Sequence, residues 1–170
     1  IIYGMGSQSF AEAAKISKEK AEQFIGEYLK DFSGIARYIE KLKDEAHKNG
    51  FAVTLFGRRR YLPELNSPNY MLRSQAERMA INMPIQGLEA DIMKKAMIEV
   101  NNWIQKEGYA DKIRILLQVH DELLFEVKEN LIKEAAPKIV ELMESVIKLK
   151  VPIIAETKVG DNWAKLEKHA

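Results

Sequence analysis

The sequence predicts an α+β fold, and three observations lead there. Apolar residues recur at spacings of three and four over most of the chain before Ile113, the period of amphipathic helices. Strict alternation appears only late, where Ile113, Ile115, Leu117 and Val119 interleave with Arg114, Leu116, Gln118 and His120. No repeat, low-complexity tract or Ser/Pro-rich linker separates the two patterns, so the chain reads as one continuous unit. Helices outnumber strands and the strands cluster late, which marks segregated α+β rather than alternating α/β architecture.

The elements follow in order. Ser17 offers an N-cap hydroxyl to a helix whose buried face is Ala21, Phe24, Ile25, Tyr28 and Leu29. Ser33 is placed to cap a second, with Ile35, Ile39, Leu42 and Ala46 on one side and Gly50 beyond its end. Val53 to Leu62 reads as a small hairpin turning near Gly57, with Arg58, Arg59 and Arg60 around the turn. A long helical stretch from Asn69 to Lys106 has Leu72, Ala76, Met79 and Met83 as its core face, continued by Met93, Met97 and Val100. Pro84 lacks the N–H that would bond the Ala80 carbonyl, and Gly87 follows soon after, so a kink is expected there and not a break. Ile113 to Val127 forms two apolar strands on either side of Asp121-Glu122. A further amphipathic helix is expected over Leu131 to Leu149, with Pro137 awkward inside it, and a strand over Val151 to Val159 is expected to join the same sheet.

With 170 residues, 46% hydrophobic and 30% charged, the chain can bury a core, which excludes wholesale disorder. No apolar run approaches the roughly 18 residues of a membrane span, so no membrane partner is expected. No basic start precedes an apolar stretch, so no secretory leader is expected either. The absence of Cys excludes disulfides and thiolate zinc sites and fits a cytoplasmic home. His47, His120 and His169 are too few and too scattered for a His-rich metal cage, which weighs against a metal-dependent phosphohydrolase. The net charge of +1 hides an uneven division, because residues 51–120 carry 10 bases against 7 acids. That excess, concentrated in Arg58, Arg59, Arg60, Arg73 and Arg78, suits a phosphate-rich partner.

Three groups of residues carry candidate chemistry. In Val119-His120-Asp121-Glu122-Leu123, two hydrophobic strands meet at adjacent carboxylates, a rigid mount for a hard cation such as magnesium. Asp and Glu are also ordinary turn residues, and both readings stand at this level. Arg78, Asn82, Gln86 and Glu89 follow one another at spacings of four, four and three along one helix face. Arg, Asn and Gln can donate to the acceptors that the minor groove presents alike in every base pair, so they can test duplex geometry without reading sequence. An ordinary solvated helix face has the same pattern. Arg58, Arg59 and Arg60 can clamp phosphates or simply face water, and His120 can meet a phosphate or sugar or be structural.

Taken together, these residues resemble the family A DNA polymerases, the bacterial DNA polymerase I type. The likeness runs through Tyr3-Gly4-Met5, Thr54-Leu55-Phe56-Gly57-Arg58-Arg59-Arg60 and Glu77-Arg78-Met79-Ala80-Ile81-Asn82. It continues through Pro84-Ile85-Gln86-Gly87, Ala90-Asp91-Ile92-Met93-Lys94 and Leu117-Gln118-Val119-His120-Asp121-Glu122-Leu123. The resemblance implies the end of a helical fingers subdomain over residues 1–50. Over residues 51–170 it implies part of a palm, an antiparallel sheet with packed helices that includes the metal-binding hairpin 113–127. It implies that Asp121 binds magnesium as a catalytic carboxylate in a two-metal site, with Glu122 near the metals, and that His120 lies by the primer end. Tyr3 would stack near the templating base over the incoming nucleotide, Arg78, Asn82 and Gln86 would approach the minor groove, and Arg58 to Arg60 would hold backbone phosphates. The implied partners are primer–template DNA and deoxynucleoside triphosphates, in replication or repair.

Two departures accompany the likeness: Leu88-Glu89 stands where the family usually has Thr-Ala, and Gly6-Ser7-Gln8 replaces a commoner small and apolar continuation, a change expected to touch only a local loop. The chain opens on Ile1 rather than Met, which reads as a piece of a longer protein. The family's other palm aspartate and its triphosphate-gripping Arg and Lys are expected before Ile1, so the 170 residues alone are expected to be inactive. A nucleic-acid-binding module without catalysis is the alternative reading.

Overall fold

The computed structural model describes residues 1–168; His169 lies outside them. The chain divides into two compact units, Ile1–Leu88 and Glu89 onward, although no linker-like composition marks the change.

The first unit opens with a helix that hydrophobic periodicity did not reveal, α1 (Ser7–Ala14), so Gly6-Ser7-Gln8 forms a helix start with Gly6 as N-cap rather than a loop. In α2 (Lys18–Asp31) the Ser17 hydroxyl accepts the Lys20 N–H, as its position in the sequence predicts. Phe24 does not join the buried face of α2 but stacks on Phe10 of α1 at 5.3 Å, half exposed. The helix α3 (Ser33–Asn49) starts one residue earlier than expected: Phe32 is the N-cap, and Ser33 lies inside the first turn without capping it. Gly50 closes α3 at φ 75° with its N–H on the Ala46 carbonyl.

The hairpin pairs β1 (Phe51–Val53) with β2 (Arg59–Tyr61), Ala52 opposite Arg60. A short 3₁₀ turn, Pro63–Asn66, leads to α4 (Tyr70–Asn82), whose N-cap Asn69 accepts the Met71 N–H. Ala46, Ala52, Leu62, Leu65, Ala76, Ala80 and Met83 form the core of this unit, with Met79 against it. Leu72 does not belong to the core face, being 46% exposed. At Pro84 the helical bonding is not broken; Met83–Gly87 widens into a turn of π-helix before α5 (Leu88–Lys106). A π turn is a standard way to take up a residue that cannot donate to the carbonyl four positions back.

In the second unit, α5 and α6 (Ile132–Glu144) cover one face of the ladder β3 (Ile113–Val119)–β4 (Glu122–Val127). Val100, Ile104, Ile113, Ala135 and Ile139 make the core, joined by Trp103, Ile115, Phe125 and Val127. The single alternation expected along β3 is interrupted. Ile115 pairs with Phe125 but Leu117 pairs with Leu124, so Leu116 is a bulged extra residue. Cross-strand partners share a face, so Leu117 and Val119 turn to the side opposite Ile113 and Ile115, where they are 48% and 37% exposed. The helix α6 ends at Glu144, before the expected Leu149. Val151 to Val159 does not extend the β3–β4 ladder: only Lys158–Val159 (β5) is extended, and it pairs with Glu167–Lys168 (β6). In the segment before β5, the Ala155 N–H donates to the Glu144 carboxylate at 2.9 Å rather than to a neighbouring strand. Among the described residues no helix is long and apolar enough to cross a membrane.

Candidate nucleic-acid and metal sites

In the second unit, His120 and Asp121 form the two-residue turn between β3 and β4, and Glu122 opens β4 opposite Val119. His120 holds φ 53°, a backbone region that few residues other than Gly enter, although His is among the commoner exceptions. The turn is braced from within by the Gln118 side-chain amide, which donates to the His120 carbonyl. Asp121 and Glu122 are exposed, and among the described residues neither carboxylate is hydrogen-bonded or ion-paired. A magnesium ion takes six oxygens in near-octahedral array and commonly uses one or two carboxylates plus water and substrate phosphate. The donor type therefore fits, while the described residues hold no group of three or more His, Asp or Glu side chains fit to ligate a metal by themselves.

In the first unit, the three arginines are not all in the turn. Arg58 is; Arg59 and Arg60 stand on β2, where alternation points them to opposite faces. The Arg59 guanidinium lies 4.8 Å from the centre of the Phe51 ring, and Arg60 reaches the Met79 sulfur at 3.3 Å. Gly57 at φ 85° makes the turn, with its N–H on the Thr54 carbonyl.

Arg78 is exposed on α4 and donates to the Ser74 hydroxyl at 2.9 Å. Its stem packs on the Tyr3-Gly4-Met5 segment so closely that a β-carbon on Gly4 would fall 2.9 Å from Arg78 Cγ. Thus two sequence signals far apart in the chain meet. Tyr3 itself lies in a turn, 53% exposed, closed by the Gly4 N–H on the Ile1 carbonyl. Asn82 is half-buried at the end of α4, and its Oδ1 is a buried acceptor with no partner. Gln86 is exposed on the π turn and Glu89 is exposed at the start of α5. His47 hydrogen-bonds Glu77, the residue before Arg78, with Nε2 3.1 Å from the carboxylate.

Two buried polar residues, Thr54 and Asp91, each 4% exposed, escaped the sequence reading as candidates in their own right. Both lie inside stretches that carry the family likeness, and a polar side chain amid buried neighbours is the signal that marked them.

The family model for DNA polymerase family A matches residues 1–165. DNA polymerase I of Pseudomonas aeruginosa is 44% identical over 163 residues, which are 96% of this chain and 18% of that protein. The thermostable DNA polymerase I of Thermus thermophilus is 41% identical over 163 residues, 96% of this chain and 19% of that protein. The chain therefore spans less than a fifth of the length of these relatives. Among solved structures, the polymerase domain of Pol1 from M. smegmatis, in complex with DNA primer–template and dNTP, superposes with a TM-score of 0.83. It is 46% identical, and the match covers 89% of this chain and 26% of that one. By its motifs, its α+β architecture and these matches across nearly its whole length, the chain belongs to DNA polymerase family A.

Proposed function

We propose that this chain is part of a DNA-directed DNA polymerase that, at full length, adds deoxynucleotides to a primer 3′-hydroxyl on a DNA template and releases pyrophosphate. Residues 1–50 would belong to the fingers and the rest to the palm, in a cytoplasmic enzyme of replication or repair. The observation that carries this reading is the pair of exposed, unpartnered carboxylates on the braced hairpin turn, in a chain of this family. Asp121, assisted by Glu122, would hold magnesium with oxygens supplied by other parts of the enzyme, by water and by the nucleotide phosphates. A divalent ion held there would supply Lewis acidity toward the attacking hydroxyl and positive charge for the leaving group.

The remaining residues position the duplex. Arg78, Asn82 and Gln86 donate to minor-groove acceptors common to all base pairs, Asn82 through its amide N–H. The Arg58 to Arg60 segment supplies positive charge for backbone phosphates, Tyr3 an exposed ring for stacking, and His120 a donor beside the primer end.

The test is primer extension by the longer polymerase carrying Asp121→Ala. Turnover should fall by about 10³-fold or more while primer–template affinity changes by about twofold or less, because the interaction lost acts in the transition state. Near-normal turnover in a folded variant overturns the assignment. Binding of duplex DNA that is salt-sensitive yet indifferent to both magnesium and Asp121 would instead favour a binding module, a reading helped by the exposed arginines of the first unit.

A further inference from the structure

Thr54 is one of the two buried polar residues, and no role in the chemistry above uses it. It sits at the end of β1 as the foot of the arginine turn. Its N–H donates to the Arg58 carbonyl at 2.9 Å, its carbonyl accepts from Gly57 at 2.9 Å, and its hydroxyl accepts from the Arg58 N–H at 3.2 Å. The turn therefore cannot move without Thr54. The other side of Thr54 faces the π turn. A β-carbon placed on Gly87, the residue after Gln86, would fall 2.5 Å from Thr54 Cγ2 and 3.0 Å from both the sulfur and the methyl of Met83. The Met83 thioether can swing aside at small cost. Thr54 cannot: it is β-branched, buried, and held in place by the turn it supports.

We propose that the Thr54 methyl seated on the bare α-carbon of Gly87 is a spacer that sets the arginine turn against the helix bearing Arg78, Asn82 and Gln86, so that both grip one duplex together. The inference rests on the DNA-binding reading above. Thr54 and Gly87 are positioning residues; neither needs to touch DNA. A side chain at Gly87 would lever the hairpin off the helix, and the phosphate-binding arginines would lose register with the groove-facing side chains.

The experiment uses the 170-residue chain, a labelled primer–template duplex titrated at several salt concentrations, and thermal unfolding of each variant. Gly87→Ala should weaken binding about tenfold, the consequence of overpacking a tight contact. It should also lower the slope of log affinity against log salt by about one, as expected when an arginine leaves its phosphate. Adding Thr54→Ser, which keeps the hydroxyl and removes the methyl, should restore most of the affinity, the slope and the melting temperature. Failure of Thr54→Ser to rescue, or wild-type binding by Gly87→Ala, overturns the spacer. Should Gly87→Ala not fold, Thr54→Ser alone serves instead: it keeps the hydroxyl that accepts from Arg58 and removes the methyl that meets Gly87, and must weaken binding and flatten the slope, wild-type binding refuting the inference. A wild-type chain with no salt-sensitive duplex binding defeats the DNA-binding reading of the first unit's residues, and is told apart from failure of the spacer because there the wild type binds and only the rescue is missing.

Discussion

Single side chains show how much chemistry hangs on local bonds. The Tyr109 hydroxyl donates to Glu134 at 2.6 Å, and this bond, with burial and the nearby Glu134 and Glu107 charges adding to it, holds the tyrosine proton above its ordinary range. The sign follows directly. A group whose folded pKa is raised contributes stability at pH values below its unfolded pKa and loses that contribution as pH climbs through the folded value. The alkaline limb of stability should therefore steepen at Tyr109, and Tyr109→Phe should be less stable than wild type at neutral pH and converge with it in strongly alkaline solution. Melting temperatures followed across the alkaline range check this; parallel curves for the two proteins would show that the Glu134 bond contributes nothing. None of this was legible in the sequence, because Tyr109 and Glu134 are 25 positions apart and nothing in periodicity pairs a helix residue with a residue in a turn. The turn was legible to within one residue, because two apolar strands with charge between them turn there, but it is His120-Asp121, with Glu122 already on β4.

Elements were read well where period and caps agreed, as at Ser17, Gly50 and the β3–β4 hairpin. They were misread where one residue changes the count. Leu116 adds a residue to β3 and reverses the faces of everything after it, which alternation by itself cannot reveal. Helix α1 was missed because it is only eight residues long, its apolar positions are mostly alanine, and Ala11 alone is buried. The chain over 151–157 looked like a strand because apolar composition does not report whether a neighbouring edge is available to pair. At Pro84 the expected absence of a break holds, by way of a π turn. An α-helix drifts past exact alignment every four residues, whereas the wider π turn opposes that drift, helping Gln86 follow the line of Arg78 and Asn82. Pro84→Ala returns the missing N–H and lets α bonding run through. In the longer polymerase this variant should discriminate less between matched and mismatched primer ends, with matched-end turnover reduced by a smaller factor, as extension assays on both ends will measure. Equal effects on the two ends would separate the π turn from duplex inspection.

At the scale of the whole molecule, the residues that carry the proposed function are divided between two units, the set proposed to meet groove and phosphate before Leu88 and the carboxylate turn after it. The described residues do not assemble three metal ligands. Primer extension by the 170-residue chain, with magnesium and nucleotides present, should consequently stay at background, while duplex binding survives and weakens steeply with salt. Extension by the purified chain, abolished by Asp121→Ala, would contradict this.

The bulge in β3 has a practical consequence. By rotating Leu117 and Val119 onto the side away from α5 and α6, it lays a strip of oil on water beside the ladder's uncovered rim. Preparations of this chain should turn cloudy as they are concentrated, and Leu117→Lys, which leaves the packed side untouched, should keep them clear.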